Sequence, residues 1–341
     1  MAATNFDRFD LATEGDNVRE DLTDVIYNIS PTEVPFQANA GRGNADNTLH
    51  EWQIDELAAV DTANAAIDGA DFGADSSDPA QRIGVFNQIS IKYIAVSRRA
   101  NIVNKAGRKS ELAYQIAKKG KELRRDVEAI ATLNQATLQG NSTTASLTAG
   151  LGGWIATNTV RGAGGTDPTL SGGTFGQPTT AAGDSATPVA FSEANMLQVL
   201  REAYIQGGNP NMVMVGPTVK QRFSNYVFDQ ATPQARVATQ RQDQGPVNRG
   251  GVSVIGAVDV YVSDFTVLDI VPNRFQRERD VWILDTEYWE ICYLDGYKTE
   301  TIAKIGDAER RHILVDWCVA SHNEAASGVV ADVDETAAMV P

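Results

Sequence analysis

The sequence predicts an α+β chain: a compact α/β portion with long protruding parts. Three observations predict it. One alternating segment is long enough to cross a globule, one amphipathic stretch of 29 residues has similar reach, and short apolar strands alternate with capped helices in the C-terminal half. A compact chain of 341 residues has a diameter of roughly 50 Å. Residues 82–97, fully extended, span about 50 Å, and a helix over 110–138 spans about 43 Å. Elements that each cross the whole body imply a flat, elongated subunit.

In chain order, residues 18–29 read as a short amphipathic helix before Pro31. LHEWQIDEL (49–57) and RIGVFNQISIKYIAVS (82–97) alternate as strands. The small, acidic stretch between them makes the pair a long hairpin with a broad tip. Over 110–138, Ser110 is placed to cap a helix. Leu112, Ile116, Leu123, Val127 and Ile130 share one stripe, with Lys118, Lys121, Arg124 and Arg125 opposite. Lys119 falls near the stripe and must snorkel. Gly120 costs about 1 kcal/mol relative to alanine. Residues 140–190 hold 11 glycines and three charges, the composition of a linker. Ser192 caps a helix to about Ile205, stopped by Gly207 and Gly208. MVMV (212–215) is a buried strand, 218–228 a helix and 229–249 a polar loop. Strands follow at 252–263, 281–285, 289–294 and 311–321.

Composition excludes several classes. Acidic residues number 44 against 29 basic ones, the wrong balance for a dedicated nucleic-acid binder. No apolar run approaches the ~20 residues of a membrane helix, and the acidic N-terminus is no signal peptide. Cys292 and Cys318 read as reduced strand residues. Charge is segregated: residues 1–78 carry 17 acids and three arginines, whereas 92–125 carry 11 bases and two acids. Either the two stretches meet, within a chain or between chains, or both are solvated faces.

No active site emerges, and no cofactor or metal ligand set is expected. His50, His312 and His322 are scattered in sequence and read as structural. GVSVIG lacks the spacing of a nucleophile elbow and GAGGTD that of a dinucleotide loop. The acids Asp68, Asp71, Asp75 and Asp78 lack EF-hand spacing.

The order of parts resembles the tailed-bacteriophage (Caudoviricetes) major capsid proteins of the Hong Kong 97-type fold. The segments that carry the resemblance are PTEVPF with LHEWQIDEL, the helix 110–138 followed by GGWIATN, EANMLQVLREAYIQGGNPNMVMVGPTVKQRFSNY, VDVYVSDF and GDAERRHILVDWCVASHNEAASGVV. The resemblance implies an N-terminal arm (1–48) and an E-loop hairpin (49–97), both reaching a neighbouring subunit. It implies a peripheral domain with a spine helix (98–139 and 276–341) and an axial domain (191–275). The Gly-rich insertion (140–190) has no counterpart.

On that reading Asp61, Asp68, Asp71, Asp75 and Asp78 lie on a neighbour's Arg98, Arg99, Lys105, Arg108 and Lys109. Phe36, Trp52, Phe72 and Phe86 serve as apolar anchors. The competing view turns Lys118, Lys121, Arg124 and Arg125 inward to packaged DNA; a plain solvated helix face is the third. The implied partners are copies of itself in hexamers and pentamers, a portal protein, a separate scaffolding protein, packaged double-stranded DNA and a decoration or cement protein. The implied location is the virion, after assembly in the host cytoplasm. The hairpin has no lysine before Lys92, so a lysine cross-link from its tip is chemically excluded. An encapsulin-like compartment shell of the same fold is the alternative.

Overall fold

The computed structural model describes residues 31–55, 57–69, 71, 79–104, 108–171, 176–230, 259–304, 306–337 and 339, with the backbone alone at 226–230. The helix expected at 18–29, most of the 229–249 loop and strand residues 252–258 lie outside these.

Two sheets organise the chain. In the first, β1 (Gly41–Asn44), β12 (Trp289–Ile302), β13 (Ala308–Ser321) and β4 (Gln88–Ser97) lie in the order β1-β12-β13-β4. Strand β1 runs parallel to β12 and the other pairs are antiparallel. The second has six strands: β5 (Thr159–Val160), β14 (Gly328–Val330), β11 (Val281–Leu284), β8 (Met212–Val215), β10 (Val267–Pro272) and β9 (Val260–Val262), adjacent in that order. Met212, Val213, Met214 and Val215 are all buried. β8 lies inside the sheet, between β10 and β11, which is why it is apolar on both faces.

Among the described residues six α-helices accompany the sheets: α1 (Pro35–Asn39), α2 (Arg98–Ile102), α3 (Glu111–Ala131), α4 (Leu151–Trp154), α5 (Glu193–Ile205) and α6 (Pro217–Gln230). The Ser110 hydroxyl accepts from the Ala113 N–H and starts α3. Its apolar stripe buries Leu112, Leu123 and Val127 against the four-stranded sheet. Ser192 caps α5 in the same way.

Several expectations need correction. The helix ends at Ala131, not 138. The Thr132 hydroxyl bonds back to the Glu128 carbonyl, and the chain turns away to pair Leu138 with Leu147. Residues 82–97 are two strands broken at Asn87. β3 (Gln81–Phe86) pairs with β2 (Leu49–Ile54) in the hairpin, while β4 joins β13. Val281–Leu284 and Gly328–Val330, assigned to the peripheral part with 276–341, sit in the six-stranded sheet beside β8 and β5.

The Gly-rich stretch is no linker. It carries α4, β5 and the small hairpin β6 (Thr169–Ser171) and β7 (Gln177–Thr180), and its end pairs Val189 with Val333. Its glycines allow close approach: a side chain at Gly150 or Gly153 would strike the carbonyl oxygens of Leu133 or Gln135. The following Trp154 is fully buried, its indole N–H donating to the Val319 carbonyl at 3.1 Å.

Candidate subunit-contact surface

The hairpin leaves the body as β2 paired to β3, from Leu49 opposite Phe86 to Ile54 opposite Gln81. Beyond Ile54, every described residue through Asp71 is exposed. Leu57 is 94%, Val60 92% and Ile67 83% exposed. Covering one such side chain fully is worth about 1.5–3 kcal/mol, so this ribbon carries unused driving force for association. Asp61, Asp68 and Asp71 lie on the same exposed stretch. The Asp61 carboxylate accepts from the Ala63 N–H at 2.7 Å, a local turn within the ribbon.

The expected anchors divide. Phe36 is 1% exposed within its own chain, set edge-on to Trp289 at 6.3 Å. It is an internal core residue, and this corrects its assignment as an interface anchor. Trp52 is half-buried against Trp154 and His322 of its own chain, each at 5.8 Å, and roots the hairpin. Phe86 is half-buried at the hairpin base, where its N–H donates to the Thr137 hydroxyl. Phe72, Asp75, Asp78 and Lys105 lie outside the described residues.

The basic segment is partly matched at home. Arg98 pairs with Asp307 at 2.8 Å, and Arg108 pairs with Glu111 at 2.5 Å while lying over the Tyr114 ring. Arg99 and Lys109 are exposed and make no ion pair among the described residues. Val96, Arg99, Ala100, Val103, Arg108 and Glu111 line an open groove of about 680 Å³. Ile102 and Val103 stand exposed on the same segment. Apolar floor and cationic rim thus occur together, as they do on the ribbon with the opposite sign.

On α3, Lys118, Lys121 and Arg124 are exposed and Arg125 is half-buried. Arg124 lies 5.6 Å from the Tyr297 ring and Arg125 5.9 Å from the Phe275 ring, so neither is a free cation on a bare face. Lys119 bonds Glu122 at 2.6 Å, and that hydrogen bond holds the Glu122 carboxyl below its ordinary range.

Three buried carboxylates hold the frame beneath these surfaces, and the sequence did not single them out. Glu128 accepts from the Phe36 N–H (2.7 Å), the Gln37 N–H (3.0 Å) and side chain (3.2 Å), and the Asn273 amide (2.8 Å). It joins α1, α3 and the end of β10 at one point; burial raises its pKa against those bonds. Asp332 takes the Ser185 and Gly162 N–H groups and the Arg279 guanidinium, fastening the insertion to the body. Glu324 accepts from the Ala156 and Thr157 N–H groups, and burial pushes its pKa to about 7. This last contact brings GGWIATN and HNEAASGVV together in space.

No group of three or more His, Cys, Asp or Glu side chains among the described residues is arranged to hold a metal. No described helix is long and apolar enough to cross a membrane.

A family model for the SU10 major capsid protein matches residues 2–334. The chain belongs to that family. Its subunits build the icosahedral shell of a phage. The major capsid protein of Escherichia phage Phieco32 is 26% identical over 331 residues, covering 89% of this chain and 90% of that one. Among solved structures, the Cyanophage A-1(L) capsid asymmetric unit superposes with a TM-score of 0.63 at 11% identity, over 93% of this chain and 97% of the other. Gordonia phage Cozz gives 0.57 at 12% identity, over 97% and 96%. The SrpI encapsulin complex from Synechococcus elongatus gives 0.52 at 10% identity, over 94% of each chain. The encapsulin shares the Hong Kong 97-type fold, and the family match assigns this capsid protein to phages.

Proposed function

We propose that this capsid protein closes into hexamers and pentamers around double-stranded DNA, each subunit laying its ribbon on a neighbour. The exposure of Leu57, Val60 and Ile67 carries this reading. The partner surface is the basic segment with exposed Arg99 and Lys109 around the groove near Val103. Contacts of about 800 Å² per partner, repeated around a closed shell, give stability through avidity. Exposed ion pairs contribute only about 0–1 kcal/mol each, so the acids set register while apolar contacts supply strength.

The separate scaffolding protein, the portal, a decoration protein and assembly in the host cytoplasm belong to the same reading. Its role is structural rather than enzymatic. A second reading concerns α3: Lys118 and Lys121 are exposed and make no ion pair among the described residues, which supports sequence-blind contact with packaged phosphate.

Closed particles in negative-stain microscopy of the purified protein test assembly. Reversal of Asp71 and Asp75 to lysine tests register. Unchanged assembly and unchanged salt resistance would refute the charge pairing.

A further inference from the structure

The inner face of β2 carries His50 and Trp52, two residues apart, while Glu51 and Gln53 point outward. The Trp52 ring lies 5.4 Å from His50, 5.8 Å from Trp154 and 5.8 Å, edge-on, from His322. Beside them Glu290 holds the His322 ring nitrogen at 3.3 Å. Two imidazoles, two indoles and one carboxylate thus meet where the hairpin leaves the body. The Trp52 indole N–H is buried with no hydrogen-bond partner among the described residues. Trp52 is therefore seated by ring packing without an indole hydrogen bond, beside the buried Ile83 and Val85 and the Phe86–Thr137 bond that also hold the hairpin root, so a charge on the rings acts on Trp52 directly.

Burial, and then the facing His322, pull the His50 pKa below its ordinary value; Glu290 and Asp46 pull the other way. The Cys292 thiol approaches Glu290 at 3.8 Å. From the neighbouring strand β3, Val85 stands opposite His50, and the Arg82–Glu51 pair lies on the outer face. A pKa lowered in the seated state means that a released hairpin binds the proton more tightly. We infer that the root of the hairpin is a proton-operated joint, in which charging His50 against His322 lifts Trp52 off Trp154 and lets the ribbon swing. The joint needs no neighbour; its consequence for a shell rests on the proposed ribbon contact.

Hydrogen exchange of dissociated subunits, corrected for the intrinsic effect of pH, tests it at about pH 7.5 and about pH 5.5. Protection across 49–54 and 81–86 is expected to fall between the two pH values by up to about tenfold, the limit that a released imidazole of ordinary pKa sets at about pH 5.5. Strand β8 serves as the internal reference. His50→Gln should flatten the local response. His322→Gln, at a half-exposed ring, should shrink it, and this second variant keeps the test open if the first misfolds. A hairpin response equal to that of β8, or a full response retained in His50→Gln, overturns the joint. The same measurement on assembled particles at neutral pH separates the two readings. Protection of 57–69 only in particles supports the ribbon contact, and its absence removes that contact while leaving the joint to the subunit data.

Discussion

Glu128→Ala removes a carboxylate that joins α1, the long helix and the end of β10. The carboxylate receives four hydrogen bonds; without it the Phe36 and Gln37 N–H groups are stranded, and the Asn273 amide keeps only the weak Met214 sulfur acceptor at 3.3 Å. Each stranded buried donor costs about 1–3 kcal/mol. Relief of the desolvation that raises the Glu128 pKa offsets part of that sum. The expected net loss is about 3–4 kcal/mol. Glu128→Gln keeps one acceptor but turns an amide donor toward backbone N–H groups, for an expected loss of about 1–3 kcal/mol. Urea unfolding of dissociated subunits, followed by tryptophan fluorescence and extrapolated linearly, measures both variants. Trp289, which packs on Phe36, reports the joint locally. A Glu128→Ala variant within about 0.5 kcal/mol of the parent would refute the claim that this carboxylate ties the three elements together.

Two glycines should respond in opposite directions. Gly120 lies within α3 with nothing within 4 Å of an added Cβ, so Gly120→Ala should stabilise by about 0.5–1 kcal/mol. Gly153→Ala meets the Gln135 carbonyl and should cost about 3 kcal/mol or more, with both changes read as shifts in urea midpoint. Glu324 makes stability depend on pH. Its folded pKa, about 7, lies above the ordinary 4.5, so its contribution is complete below about 4.5 and is lost as pH rises through 7. The loss is roughly 3 kcal/mol. Glu324→Gln should flatten that part of the pH–stability curve between pH 4.5 and 7, and an unchanged slope refutes the assignment.

The hairpin, the Ser110 and Ser192 caps and the stripe of α3 were readable because each is local: alternation and the 3.6-residue period report which face is apolar. Glu128 escaped for the same reason. It lies on the polar side of that stripe, next to Arg124, and only the arrival of α1 and Asn273 buries it. His50 and His322 read as unrelated structural residues because 272 positions separate them, and the fold sets both against one indole. Phe36 looked like an exposed anchor on an arm because nothing local reveals Trp289 waiting for it.

By itself the sequence determined the order of the parts, the apolar face of each, the segregation of acid from base and the lack of catalytic motifs. Tertiary structure alone decided which sheet β11 and β14 join, that the Gly-rich stretch packs on its own chain, and which charges are spent internally. The physical reason is that periodicity names a face to be covered, while the cover comes from residues far away in the chain, chosen by how well they pack and satisfy one another.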